Sequence, residues 1–496
     1  MNRVPWPRRP ATWWGAALPI IAASALTLVA VPVVLTNPLM FLVVPAIAFA
    51  VLLVSKPWAR LGWLVLGALA VFQTSEGLSA PKLVYLAGVG LAAVIALVRV
   101  VPRLREPWAL PLRPSLVGAG ILLAWIGLVS PVYSVTVRGI DPTMWARDAV
   151  TYLLPVAAVV IALDAAGSIR LSASRTFSVL VGGVSAVGFA AAWISSRGYS
   201  GEVSTERSLL ASLVAITVPL ALLFAMGLAR KRVRPAWLVG AVGLLCAVLI
   251  TGTRTGVVLP LMLIAMVGAA RKARITLPRL VAGAAMSAAS IGLILPFAAA
   301  TFSSSTDVFA RLSSISSTLT NGFQSDASGS IRLRAAAIAW ERFVQYPLLG
   351  QGMGVQFPNP NPALQGVDGY FSLDTPVMFL AKFGLIGVVV LIIAYGLIVF
   401  AAARPPAKHV FTLESTVARG VAFVWLALLP VASVPEDKGF SVAIALLLLL
   451  SGSAARSLHL DGGGAELDAT GTSRGSRAIP GRTSRSSLLA SGEPAQ

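Results

Sequence analysis

The chain has 496 residues, 57% of them hydrophobic and 12% charged, with a mean hydropathy of +0.84. Soluble domains carry about 25% charged residues, so a water-soluble globular protein is excluded and a polytopic membrane protein is indicated. The net charge of +20 would suit nucleic acid in a soluble chain, but Lys and Arg collect here in short loops between apolar runs, which is a topology signal and excludes nucleic acid as the partner.

A membrane-spanning helix needs about 20 apolar residues. About fourteen runs qualify, at 13–35, 38–55, 61–75, 81–98, 115–132, 149–164, 177–195, 208–229, 236–252, 255–270, 280–301, 375–402, 419–434 and 439–455, and several are short enough that the count falls to about twelve. The expected fold class is all-α: one polytopic bundle of 12–14 transmembrane helices with one large extracytoplasmic loop containing short helices. The basic residues 1–12 form a cytoplasmic N-terminus, and the first apolar run reads as an anchor. The bundle occupies 13–302, the large loop 303–374 and further spans 375–455. A disordered, basic cytoplasmic tail is expected over 456–496, where Gly, Ser and Arg dominate.

Orientation follows from alternate loops. Arg3, Arg8 and Arg9 precede the first span; Lys56 and Arg60, then Arg99, Arg103, Arg105 and Arg113, then Arg230, Lys231, Arg232 and Arg234 fall in every second loop. Both termini are therefore expected in the cytoplasm of a multi-pass cell-membrane protein. The remaining loops face outward and hold Glu202, Glu206, Asp148, Glu436 and the long stretch 303–374. Cys246 is the single cysteine, so no disulfide framework exists, and two histidines leave little room for a histidine-based metal site.

Four outward features could carry chemistry. In Thr251-Gly252-Thr253-Arg254-Thr255-Gly256, a tight turn presents one arginine at the membrane surface. A guanidinium there suits bidentate phosphate binding and equally suits snorkelling to lipid phosphate. A helix is expected from Ser330 to Gln345, with Leu333, Ala337, Trp340 and Val344 on one apolar stripe. Arg332 and Arg334 fall on opposite borders of that stripe, so one is expected to serve a site and the other to be solvated. In Pro347-Leu348-Leu349-Gly350-Gln351-Gly352-Met353-Gly354, alternating glycines let the backbone approach a ligand closely. In Asp374-Thr375-Pro376, the first two residues can cap a span and Asp374 can edge an outward cavity.

In this order, and with Phe379-Leu380-Ala381-Lys382-Phe383-Gly384-Leu385-Ile386-Gly387 following, the features resemble the O-antigen ligase and Wzy-type polymerase family over about residues 238–400. The resemblance implies a GT-C-like fold. It implies transfer of a polyprenyl-diphosphate-linked glycan to a glycan or lipid acceptor on the outer face of the cytoplasmic membrane, without a metal or other cofactor. Membrane lipids, a flippase and a chain-length regulator are the further partners it implies. By position, Arg254 and Arg332 match family arginines. The sequence departs where Leu373 stands at the ligase histidine position and where Lys382 stands in place of an acidic residue, which favours polymerase over ligase.

Taken together, Arg254, Arg332 and Asp374 are the expected catalytic residues, and Arg254, Arg332, Arg334, Gly352 and Gly354 the expected substrate-binding residues, with Glu202 and Glu206 in reserve. Arginines would hold the diphosphate as charge builds on it, and Asp374 would orient or deprotonate the acceptor hydroxyl. The alternatives are a lipid-linked oligosaccharide transporter or flippase, and a non-catalytic envelope scaffold. Nearly charge-free spans argue for surface chemistry over translocation.

Overall fold

A computed structural model describes residues 43–71, 80–169, 214, 217–222, 225, 327–361, 373, 375–404, 413–428, 434–437 and 439–470. The described residues form an all-helical membrane protein without strands. The expected spans at 13–35, 177–195, 236–252, 255–270 and 280–301 lie outside them, as does most of 208–229.

Helices α1 (Val43–Ser55) and α2 (Pro57–Val71) come first. They correspond to the expected spans 38–55 and 61–75, but their axes meet at 115° across Lys56 and the described parts are 13 and 15 residues long. Their described parts, about 20 Å each, form a bent pair. Arg60, one turn into α2, is fully buried and forms an ion pair with Asp164 while donating to the carbonyls of Leu53 and Val54.

Among the described residues, five helical segments are long and apolar enough to cross a membrane. The first is α3 (Ala80–Arg103). The second, Pro107–Val137, joins a 3-10 turn to α4 (Arg113–Ala124), which then widens into π-helical turns at Trp125–Val129 and Val132–Val137. The third is α5 (Pro142–Ser168). Asp141 caps α5, accepting from the amides of Thr143 at 2.7 Å and Met144 at 3.4 Å, and Pro142 fills the first turn, where no amide is needed. The hydroxyl and amide of Thr143 hold the Asp141 carboxyl below its ordinary range.

After the loop helix α6 (Ala327–Gln345) come α7 (Val377–Ala403), α8 (Leu413–Leu428) and α9 (Phe440–Thr470). α7 and the first part of α9 complete the spans. The helix α9 runs on to Thr470, past the point at which the sequence suggests the tail begins.

Helices α5 and α9 pack on each other at the centre of the bundle and are the most enclosed. α4 packs along α7, α3 along α5, and α6 against α7. Gly118 of α4 allows a close approach, since a Cβ there would lie 2.4 Å from the Ala394 carbonyl of α7. Small residues at crossings are how membrane helices reach packing distance.

Candidate functional site at the Val377 end of the bundle

The chain of α7 is broken at Gly384, which adopts φ 61° and ψ −172°, a region open essentially to glycine alone. In an intact helix the amides of Leu385 and Ile386 would bond the carbonyls of Ala381 and Lys382. Here they bond the carbonyls of Pro347 (2.9 Å) and Leu348 (3.1 Å) instead. The carbonyls thus released accept from the amides of Gln351 (2.8 Å) and Gly352 (3.0 Å). The segment Pro347–Gly352 is inserted into the helix ladder and satisfies all four groups that the break exposes. An apolar environment demands this, because each unpaired backbone group there costs several kcal/mol.

The rest of the glycine-rich segment is held from the other side. Tyr133 and Ser134, on the π-helical end of α4, reach it: the Tyr133 hydroxyl donates to the Gly350 carbonyl (2.8 Å), and Ser134 Oγ accepts from the Met353 amide (2.9 Å). The Arg138 guanidinium donates to the Gln351 carbonyl at 3.4 Å and lies over the Tyr346 ring, 3.8 Å from its centre. The Gly354 amide donates to Asp148 Oδ2 at 2.9 Å. With the Gly350 amide on Tyr346, every amide from Gly350 to Gly354 has a protein acceptor. Gly352 and Gly354 therefore meet any ligand through Cα or carbonyl rather than through N–H groups. Both also press on neighbours, Gly352 on Ser134 and Gly354 on the backbone of Trp145.

Beneath this segment lies a buried ion cluster. Lys382, fully buried, places Nζ 2.8 Å from Asp148 Oδ1 and 2.8 Å from Glu436 Oε1. Tyr152, one turn after Asp148 on α5, donates its hydroxyl to Glu436 Oε1 and stacks edge-on against Phe383. Glu436 ends a short 3-10 turn, Val434–Glu436, just before α9. Its second oxygen, Oε2, is buried without a hydrogen-bond partner among the described residues. One lysine thus ties α5, α7 and the α8–α9 connection together. Asp148 links it onward to Gly354.

The expected loop helix forms, three residues longer at its start than predicted. Ala335, Ala339 and Phe343 form its buried side. Arg332 shares that side by its i, i+3 and i+7 spacing and is half-buried, whereas Arg334 is exposed. Gln351 Nε2 donates to Gln345 Oε1 at 2.9 Å, which ties the last turn of α6 to the glycine segment. The expected apolar stripe of Leu333, Ala337, Trp340 and Val344 is not buried; all four are exposed. The protein-facing side is the small-residue side, because alanines allow α6 to approach α7 more closely than Leu and Trp would.

Arg254, Asp374, Glu202 and Glu206 lie outside the described residues. Leu373 is buried beside the start of α7, and Thr375 Oγ1 accepts from the Val377 amide at 3.4 Å.

Residues 239–392 match the family model described as O-Antigen ligase. Over these residues the chain is similar to that family. No curated protein matches the chain. The match supports a place in the O-antigen ligase/Wzy-type family and a ligase- or polymerase-like membrane function in polysaccharide assembly. The described part of the matched region is α6, the glycine segment and most of α7, the three elements that interlock at Gly384. Their partners Tyr133, Ser134, Asp148 and Glu436 come from outside it.

Sequence reading placed Asp148 and Glu436 only as loop charges and Lys382 only as a departure from a family pattern. The expectation of nearly charge-free spans needs correction: Asp148, Asp164 and Lys382 are buried within spanning helices. The available signal was a lysine in a long apolar run, which needs a buried partner of opposite charge. These charges sit near span ends, about 9 Å along α5 for Asp148 and about 8 Å along α7 for Lys382. The bent pair meets the opposite end, at Asp164.

Proposed function

We propose that this protein transfers a glycan from a polyprenyl diphosphate to a glycan or lipid acceptor at the outer face of the cytoplasmic membrane, with polymerase favoured over ligase. The observation that carries the reading is the match of residues 239–392 to the O-antigen ligase family model, together with the half-buried placement of Arg332 on the same side of α6 as the buried Ala335, Ala339 and Phe343.

In the reaction, the bond from the anomeric carbon to the diphosphate oxygen breaks. A bond from the acceptor oxygen to that carbon forms, the acceptor hydroxyl loses its proton, and polyprenyl diphosphate leaves. Negative charge grows on the leaving phosphate, so fixed guanidinium groups bind it more strongly in the transition state than in the ground state. Arg254 and Arg332 take this role, so that no metal is required. Arg334, exposed on the adjoining face, contributes to binding rather than to the reacting phosphate. Asp374 orients the acceptor or takes its proton. Gly352 and Gly354 form the wall beside which the donor passes. The positive-inside pattern puts both termini in the cytoplasm and this end of the bundle outside.

The deciding experiment supplies purified protein in proteoliposomes with a polyprenyl-diphosphate-linked glycan. Release of free polyprenyl diphosphate with a lengthened or transferred glycan supports the reading. Donor binding without turnover would overturn it in favour of a transporter or scaffold.

A further inference from the structure

The exposed stripe of α6 has a geometric context that identifies what covers it. Leu333, Trp340 and Val344 are each at least half exposed, and the exposed apolar surface continues through Tyr346, Leu348 and Leu349. Leu348 bonds Ile386 of α7 through its carbonyl, and Leu385, Ile386, Val389, Ile392 and Ile393 are the exposed apolar face of that span. A face of this kind on a helix of 27 residues with a mean hydropathy of 2.9 is a lipid-facing one. The stripe of α6 is thus continuous with a lipid-facing surface.

Depth points the same way. The end of α6 is pinned to α7 by the Pro347–Leu385 and Leu348–Ile386 bonds. Leu385 lies eight residues after Val377, about 12 Å along the helix. A span of 27 residues is about 40 Å long, roughly 10 Å more than the hydrocarbon core, so about 5 Å extends beyond it at each end. The pinned end of α6 therefore sits about 7 Å inside the hydrocarbon boundary, within the depth to which an interfacial helix buries its apolar face, and not out in water. The borders of the stripe fit that level: Arg334 and Glu341 are exposed on one side, and Ala335, Ala339 and Phe343 pack into the protein on the other. An apolar stripe flanked by charge, with Trp340 in it, is the pattern of a helix lying in the membrane interface.

We propose that α6 lies along the bilayer interface with Leu333, Trp340, Val344, Leu348 and Leu349 seated among phospholipid acyl chains, so that the loop carrying it is partly a membrane-bound element. This holds whatever reaction the protein performs. The occupant is bulk phospholipid and not the prenyl chain of a donor, because the surface is continuous with the open lipid-facing side of α7.

The test uses the full-length chain with Cys246→Ala as background, reconstituted in phospholipid nanodiscs without any donor. Single cysteines replace Leu333, Trp340, Val344 or, for comparison, Glu341, and each carries a small environment-sensitive fluorophore. The stripe positions should show blue-shifted emission and lose intensity to acyl-chain nitroxide lipids, at similar depth for 333 and 344. Position 341 should be quenched by aqueous iodide. Native Trp340 provides a second readout that needs no cysteine: brominated lipids should quench the wild-type protein more than Trp340→Phe.

Iodide quenching along the stripe overturns the proposal, as does lipid quenching at 344 with iodide quenching at 333, which would mean that α6 stands away from the membrane. Insensitivity to both quenchers overturns it in favour of a covering protein or second copy. Protection that appears only when polyprenyl diphosphate is added overturns it in favour of the donor.

Discussion

Gly350 and Gly384 lie backbone against backbone: a Cβ on Gly384 would fall 2.5 Å from the Gly350 nitrogen, and one on Gly350 would fall 2.6 Å from the Gly384 nitrogen. Both have positive φ. Their contact is the point at which the loop enters α7, so it carries both the geometry of the site and the continuity of a span. Alanine at either position meets two penalties. A left-handed backbone costs a residue with a Cβ about 1–2 kcal/mol, and the new methyl strikes main chain that cannot rotate away. Gly384→Ala and Gly350→Ala are each expected to lower the midpoint of thermal unfolding in detergent by several degrees and to speed proteolysis of the 303–374 loop. Gly396→Ala, where a Cβ would meet nothing within 4 Å, is the control and should leave both unchanged.

Lys382 holds two carboxylates that have no other cation within salt-bridge range among the described residues. Removing one partner of a buried ion pair typically costs about 3–5 kcal/mol, whereas replacing the whole set by neutral groups is often tolerated. Lys382→Met should therefore destabilise strongly, and Lys382→Met with Asp148→Asn and Glu436→Gln should recover much of the loss. The measurement is denaturation of the purified variants in one detergent. A single variant as stable as the parent would show that the carboxylates are paired elsewhere or protonated. Because Asp148 also accepts from the Gly354 amide, the recovered triple variant isolates a positioning role. It should retain donor KM while losing kcat if the cluster sets the loop's position for the reaction.

The sequence showed the motifs and not their engagement. Span positions at 81–98, 115–132, 149–164, 375–402 and 439–455 were legible because apolar length is a one-dimensional signal. Pro347–Gly354 and Phe379–Gly387 were each visible as glycine-bearing segments, yet nothing local says that one inserts into the other. The exchange involves main-chain groups about 35 residues apart, and main chain carries no residue code. The apolar stripe of α6 was legible as a stripe but its surroundings were not, because helical period gives the face but not the solvent it meets. In a membrane protein an apolar face has two possible hosts, protein and lipid. Lys382, Asp148 and Glu436 were misjudged for a related reason: their alternation between loop and span ends obscured that they share one depth.

On the proposed reaction, the two arginines of α6 separate. Arg332 is half-buried on the same side of α6 as Ala335, Ala339 and Phe343, and Arg334 is exposed, so charge at 332 acts in a less polar setting and is worth more. Arg332→Ala is expected to reduce release of polyprenyl diphosphate by about 100-fold or more, the scale found when a fixed donor to a developing anion is removed. Arg332→Lys should recover part of this, because an ammonium keeps the charge without the bidentate fork. Arg334→Ala should raise the donor KM with little change in kcat. Arg254→Ala should resemble Arg332→Ala. Equal effects at 332 and 334 would remove the distinction that burial draws between them.

Asp374 tests the acceptor side. A carboxylate next to a span start has an ordinary use in accepting the first amides, and Thr375 Oγ1 already accepts from that of Val377 at 3.4 Å. The neutral Asp374→Asn variant, which can still cap, is therefore expected to unfold at the parent's temperature. If Asp374 takes the acceptor's proton, the same variant should lose about 100-fold or more in turnover, as expected for a general base, while still binding donor. Its residual rate should also lose the dependence on pH that the parent shows on the acidic side. Thr375→Val makes the reverse comparison, weakening the helix start and leaving the carboxylate in place. Turnover retained in Asp374→Asn would exclude this residue as the base and move the search to Glu202 and Glu206.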